Sequence, residues 1–336
     1  MAPSPTIVED QRSYMRQFED AGLEFIGPCP THLNEATLDI PLSNGRMNRI
    51  KVVWPKSKGS TCQCPLIIYF HGGGYVCCSP DQVLAPARGF AQVFNAVVVC
   101  PSLNQLPEQR FPAPIKIGWE VCAWLSNTEN LNDGLLKHGG VVVDLTRGFV
   151  IGGLSAGGSA AAVLAALSAA VSTKDPKYEE LPPLRHPFTG AFVGLPFLIT
   201  EAMLPERFSG QLRSRRDPER TEHIESLIGD YVHTPWFSPV NIGMPTKDIA
   251  LHHPPKVFVY CTSLDVFRDD AIIYYKWLSG IQGVEARLVE VPNEDHTAWV
   301  SPPWPASHTR MIKEMTLSGM AWLLDVEWDQ EQDLPA

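Results

Sequence analysis

Two glycine-flanked motifs and two late polar residues carry the side-chain types that activate a serine. Gly153-Leu154-Ser155-Ala156-Gly157 follows an apolar run at 149–152 and leads into an alanine-rich stretch. Glycines two before and two after a serine let the backbone turn sharply without a Cβ clash and hold the hydroxyl out of the fold. A bare Gly-x-Ser-x-Gly also fits a tight turn with Ser155 as helix N-cap. The strand-turn-helix setting favours a nucleophile. His71-Gly72-Gly73-Gly74-Tyr75 follows a second apolar run at 66–70. Side-chain-free N–H groups can approach a developing oxyanion, and those of Gly72, Gly73 and Ala156 are the expected donors. A phosphate loop is disfavoured, because no Lys-Ser or Lys-Thr follows.

A serine hydroxyl is a poor nucleophile without a base, and on such a turn the partners follow in the order Ser, then Asp or Glu, then His. Two of the ten histidines fit that order. His296 lies in a loop directly after the apolar run 286–291, whereas His308 falls at the start of the last helical segment, so His296 is the expected base. The segment Ser263-Leu264-Asp265-Val266-Phe267-Arg268-Asp269-Asp270 offers three carboxylates after the run 257–261. Asp269 and Asp270 suit the first turn of the next helix, which leaves Asp265 to orient the imidazole. Glu294 and Asp295 adjoin His296, but neighbours in sequence rarely point side chains at one another.

These residues need a frame. Runs at 50–54, 66–70, 96–100, 149–152, 257–261 and 286–291 are short and rich in β-branched or aromatic residues, and most read as strands buried on both faces. Segments 82–94, 114–125, 155–171, 269–279 and 308–324 have helical length and composition. The alternation predicts a doubly wound α/β sheet, in which catalytic groups gather at the carboxyl ends of strands. Two stretches break the rhythm: residues 1–45, opening on an amphipathic helix near 8–23, and residues 199–247, rich in Pro, Arg, Trp and Phe. They are read as two parts of a cap over core segments 46–198 and 248–336, since long structureless loops are uncommon in compact domains.

The 336 residues suit one large domain with an insertion. With 44% hydrophobic and 19% charged residues the composition is that of a folded globular protein. A net charge of -10 opposes nucleic acid, and the basic cluster Arg213, Arg215, Arg216 and Arg220 is diluted by Asp217 and Glu219. There is no apparent secretory leader or bilayer-length apolar run. Eight cysteines without paired C-x-x-C spacing suggest reduced thiols, a cytoplasmic setting and no metal.

Taken together, the motifs resemble the hormone-sensitive-lipase-like esterases, a family that includes plant carboxylesterases and gibberellin receptors. The resemblance runs from residue 71 to 296. It is carried by His71-Gly-Gly-Gly74, Gly153-Leu-Ser-Ala-Gly-Gly158, Asp265-Val-Phe-Arg-Asp-Asp270 and His296, with a weaker echo from Pro107-Glu108 to Phe111-Pro112. It implies an α/β-hydrolase fold, an eight-stranded and mostly parallel core with a helical cap, and ester hydrolysis without a cofactor. Leu154 stands where the family often has Asp, and Ser102-Leu-Asn-Gln-Leu-Pro-Glu108 replaces Asp-Tyr-Arg-Leu-Ala-Pro-Glu, so the charged supports near the core differ. The gibberellin receptors lack the histidine, and His296 therefore favours turnover. The expected substrate is a small neutral or apolar ester, given the aromatic Phe208, Tyr231, Trp236 and Phe237 in the cap segment. The rival expectations are a cyclase, dehydratase or acyltransferase on the same fold, and a non-catalytic receptor.

Overall fold

The computed structural model describes residues 5–57, 59–103, 106–200, 204–211, 222, 225–298 and 306–330. The four arginines of the 213–220 cluster lie outside them. Ten strands occur among these residues: β1 (Leu33–Pro41), β2 (Met47–Pro55), β3 (Cys62–Cys64), β4 (Leu66–Phe70), β5 (Val97–Pro101), β6 (Val141–Val143), β7 (Phe149–Leu154), β8 (Gly190–Gly194), β9 (Lys256–Thr262) and β10 (Glu285–Val291). The helices are α1 (Pro5–Ile26), α2 (Leu84–Phe94), α3 (Ala113–Leu125), α4 (Glu129–Asn132), α5 (Ala156–Ser172), α6 (Thr246–His252), α7 (Arg268–Leu278) and α8 (Ala306–Leu323).

Eight strands form one sheet in the order β1-β2-β5-β4-β7-β8-β9-β10, while β3 and β6 form a small parallel pair. The first two pairings are antiparallel, and all others in the large sheet are parallel. In β4, β5, β7 and β8 every residue is buried, as a parallel strand covered on both faces requires. Alternate residues of β4 serve opposite layers. Leu66, Ile68 and Phe70 belong to the core layer that includes α3, α5 and α7, while Ile67 and Tyr69 belong to the one that includes α2 and α8. Helix α5 is buried on every side over its first fifteen residues, the pattern of a central helix, and its alanines and glycines permit that closeness.

Two strands depart from the sequence expectation. Residues 33–41, taken as part of the cap, form the sheet's edge strand, paired over their whole length from Leu33↔Pro55 to Pro41↔Met47. Their alternating polar composition reflects an edge position with one wet face. Strand β8, Gly190-Ala-Phe-Val-Gly194, was not expected, because two glycines depress its strand signal. At Gly194 a Cβ would lie 2.3 Å from the Tyr260 ring, so the missing side chain makes room for β9. Arg88 of α2 is buried against Glu35 of β1 at 2.5 Å and also donates to the carbonyls of Ile26 and Gly27, fastening the end of α1 to the core.

Candidate active site

Ser155 sits between β7 and α5 at φ 53° and ψ −119°, a strained conformation for a residue with a Cβ. Its surroundings enforce that conformation. A Cβ on Gly153 would lie 2.6 Å from the Phe70 carbonyl oxygen and one on Gly157 2.2 Å from the same atom, so only glycine allows the turn to close on β4. The Ser155 N–H donates to the Gly194 carbonyl at 2.9 Å, fixing the turn to β8.

His296 and Asp265 come from loops after β10 and β9. The Ser155 hydroxyl lies 2.8 Å from His296 Nε2, and His296 Nδ1 lies 2.8 Å from Asp265 Oδ2. Asp265 is 1% exposed, and its other oxygen accepts the Phe267 N–H at 2.8 Å. The two loops are laced together: Ser263 N–H donates to the Val291 carbonyl, Leu264 N–H to that of Glu294, and the Thr262 hydroxyl to that of Asp295. The Phe267 ring meets the imidazole edge to face at 5.4 Å.

The rival acids are engaged elsewhere. Asp270 Oδ2 accepts the N–H groups of Leu198 and Ile199 at 2.7 and 2.8 Å, at the start of the 199–247 segment. Asp269 is in contact with Arg268, which also binds Glu290. Asp295 accepts from the backbone and hydroxyl of Thr297, and those bonds hold its carboxyl below the usual range. His308 lies in the first turn of α8.

The glycine loop corrects one expectation. The Gly72 N–H, expected to face an oxyanion, instead donates to Gln82 Oε1 at 2.6 Å. His71 explains how the rest of the loop is set. Its Nε2 accepts the Leu103 N–H at 3.0 Å, so the proton sits on Nδ1 and is donated to the Gly72 carbonyl at 2.7 Å. Complete burial lowers the His71 pKa to about 4, which keeps the ring neutral. The Gly73 carbonyl in turn accepts from the N–H groups of Val76 and Cys77 and from Cys77 Sγ, at 3.0, 3.0 and 3.2 Å. In a trans peptide the N–H points opposite the carbonyl. Pinning the Gly72 and Gly73 carbonyls therefore turns the N–H groups of Gly73 and Gly74 the other way.

Helix α1 grips the same loop. Arg12 donates to the carbonyls of Val76 and Leu106 at 2.8 and 2.9 Å and pairs with Glu108, while Glu19 accepts the N–H and hydroxyl of Ser79. Burial raises the Glu19 pKa, against those two bonds. Arg12 and Glu19 lie seven residues apart on one face of α1, a spacing visible in the sequence although its target was not; Gln82 had no sequence signal. A row of rings joins the histidine to the cap segment, from Phe267 to Phe197, then to Phe237 on one side and to Tyr75, Phe111 and Tyr231 on the other. Among the described residues no cluster of His, Cys, Asp and Glu has the makings of a metal site, and no helix is long and apolar enough to cross a membrane.

The strand order and the strand-turn-helix at Ser155 are those of an α/β hydrolase. A profile of the alpha/beta hydrolase fold family matches residues 67–300, and the chain belongs to that family, among its hormone-sensitive-lipase-like esterases. It is 31% identical over 172 residues to carboxylesterase 20 of Arabidopsis thaliana, a match spanning 48% of this chain and 50% of that one. It is 27% identical over 297 residues to 2-hydroxyisoflavanone dehydratase of Glycyrrhiza echinata, spanning 84% and 85%. Among solved structures, vibralactone cyclase superposes with a TM-score of 0.76 at 21% identity, covering 98% of this chain and 93% of the other, a likeness of fold.

Proposed function

We propose that the chain is a serine esterase that cleaves a carboxylic ester of a small, neutral or apolar molecule through an acyl-enzyme. The observation that carries this reading is the unbroken hydrogen-bonded line from Ser155 Oγ through His296 to buried Asp265, 2.8 Å at each step. Ser155 attacks the ester carbonyl as His296 Nε2 takes its proton. Asp265 holds the imidazole tautomer and stabilises the imidazolium. The proton passes to the leaving alcohol, and water, activated by the same histidine, releases the acid. The N–H groups of Gly73, Gly74 and Ala156 stabilise the tetrahedral oxyanion, each worth about 3 kcal/mol if lost. The aromatic row beside His296 supports an apolar substrate. Helix α1 and the 199–247 segment are proposed to close over it as a cap, consistent with the grip of Arg12 and Glu19 on the glycine loop.

A second reading, dehydration or cyclisation on the same scaffold, is favoured by the dehydratase relative, whose match covers most of both chains. The covalent intermediate separates the two. With p-nitrophenyl butyrate, mass spectrometry of a quenched reaction should place a butyryl group on the Ser155 peptide, and a fluorophosphonate should label that residue stoichiometrically and stop turnover. Conversion of esters at full rate by a protein that resists the probe, or by Ser155→Ala, overturns the acyl-enzyme.

A further inference from the structure

Gln82 stands in a short 3₁₀ turn, Pro80–Val83, ten residues beyond Gly72 and outside every motif. Its side chain is held at both ends. Oε1 accepts the Gly72 N–H at 2.6 Å, and Nε2 donates to Cys78 Sγ at 3.2 Å, so the carboxamide has one orientation. Its backbone is fixed too: Gln82 N–H donates to the Ser79 carbonyl, and the Ser79 hydroxyl accepts the Asp81 N–H. Gly72 lies between Gln82 and the nucleophile, because a Cβ there would be 3.2 Å from Gln82 Oε1 and 3.3 Å from Ser155 Cβ.

Three consecutive peptide planes follow His71. His71 Nδ1 pins the second through the Gly72 carbonyl, and Val76 and Cys77 pin the third through the Gly73 carbonyl. The first has Gln82 on its N–H. Gly73 and Gly74 have φ of 96° and 63°, a region that glycine enters without steric cost and leaves as easily, so the loop keeps its shape through such external contacts. We propose that Gln82 is a positioning residue for acyl transfer: by holding the Gly72 N–H it anchors the first plane, from which the two planes that aim the Gly73 and Gly74 N–H groups at the oxyanion continue. The inference rests on the serine-esterase reading above.

The experiment compares wild type with Gln82→Leu, which removes the acceptor at similar size, and Gln82→Asn, which keeps the carboxamide but withdraws it by one methylene. Wild type is first shown to turn over p-nitrophenyl butyrate with fluorophosphonate labelling at Ser155; failure there rejects the esterase reading and not the role of Gln82 in the loop. Displacement of catalytic donors by about an ångström costs on the order of a hundredfold. Gln82→Leu should therefore lose about ten- to a hundredfold in kcat with KM within about threefold of wild type. Its affinity for a trifluoromethyl ketone, which binds as a tetrahedral oxyanion, should fall in parallel with kcat/KM. Gln82→Asn should fall between the two. A role confined to stability would lower Tm while sparing kcat and ketone affinity in the folded fraction. That result, or full kcat in Gln82→Asn, overturns the proposal.

Discussion

Replacing Asp265 by Asn tests more than a missing charge, because the structure dictates which way the new amide faces. The Phe267 N–H points at Asp265 Oδ1 from 2.8 Å and needs an acceptor in a site that is 1% exposed. The introduced amide therefore keeps its oxygen toward Phe267 and turns its NH2 toward His296 Nδ1, where a carboxylate oxygen now sits at 2.8 Å. An NH2 there makes Nδ1 an acceptor and moves the imidazole proton to Nε2, 2.8 Å from the Ser155 hydroxyl. The base then faces its serine with a proton already in place. In a triad with this geometry the wrong tautomer costs about 10⁴ in kcat, or ~5.4 kcal/mol of transition-state stabilisation. Flipping the amide instead would set its NH2 against the Phe267 N–H, two buried donors without an acceptor between them, which opposes the productive tautomer. Initial rates with p-nitrophenyl butyrate, on protein whose circular-dichroism melt matches wild type, provide the measurement. Activity above a tenth of wild type in Asp265→Asn, or a larger loss in Asp269→Asn, would refute the assignment.

Acid sensitivity of folding should trace to buried histidines. Burial lowers both His71 and His253 to about 4, while an unfolded chain holds them near 6.5. Between those values the unfolded state binds the extra proton, so stability is full above about pH 6.5 and declines as pH falls toward 4, by up to about 3 kcal/mol per group. Denaturant titrations at several pH values should show a shallower decline in His253→Phe, a change remote from Ser155; an unchanged slope would mean that His253 does not report the linkage. For the α1 grip, Arg12→Ala should lower kcat/KM for a bulky ester about tenfold, as expected when a binding segment shifts by a fraction of an ångström. Glu108→Ala should cost less, because Glu108 is 57% exposed and the two carbonyl bonds of Arg12 remain. Equal effects of the two variants would show that the ion pair, rather than the loop contact, is what counts.

The parts of the site that were legible in sequence are those whose chemistry is local. Gly153, Ser155 and Gly157 announce a sharp turn by composition alone, and Asp265 and His296 follow from chain order and from their places after strands. The parallel core was visible wherever a strand is uniformly apolar, as in β4 and β7. Strand β8 was hidden by Gly190 and Gly194, which are explained only by neighbours distant in sequence, such as Leu323 and Tyr260. Strand β1 was hidden because its pattern is that of a wet edge, which a cap segment shares.

The glycine loop shows why the remainder was out of reach. Three glycines say that N–H groups are exposed but not which ones are free. That choice is made by acceptors and donors far along the chain: Leu103 selects the His71 tautomer, His71 then takes the Gly72 carbonyl, and Gln82 takes the Gly72 N–H. Each is a single polar contact with no periodicity to reveal it. His71, its pKa lowered to about 4 by burial, holds the loop as a neutral hydrogen-bonding group. A preorganised hole of neutral dipoles costs no reorganisation when the oxyanion forms.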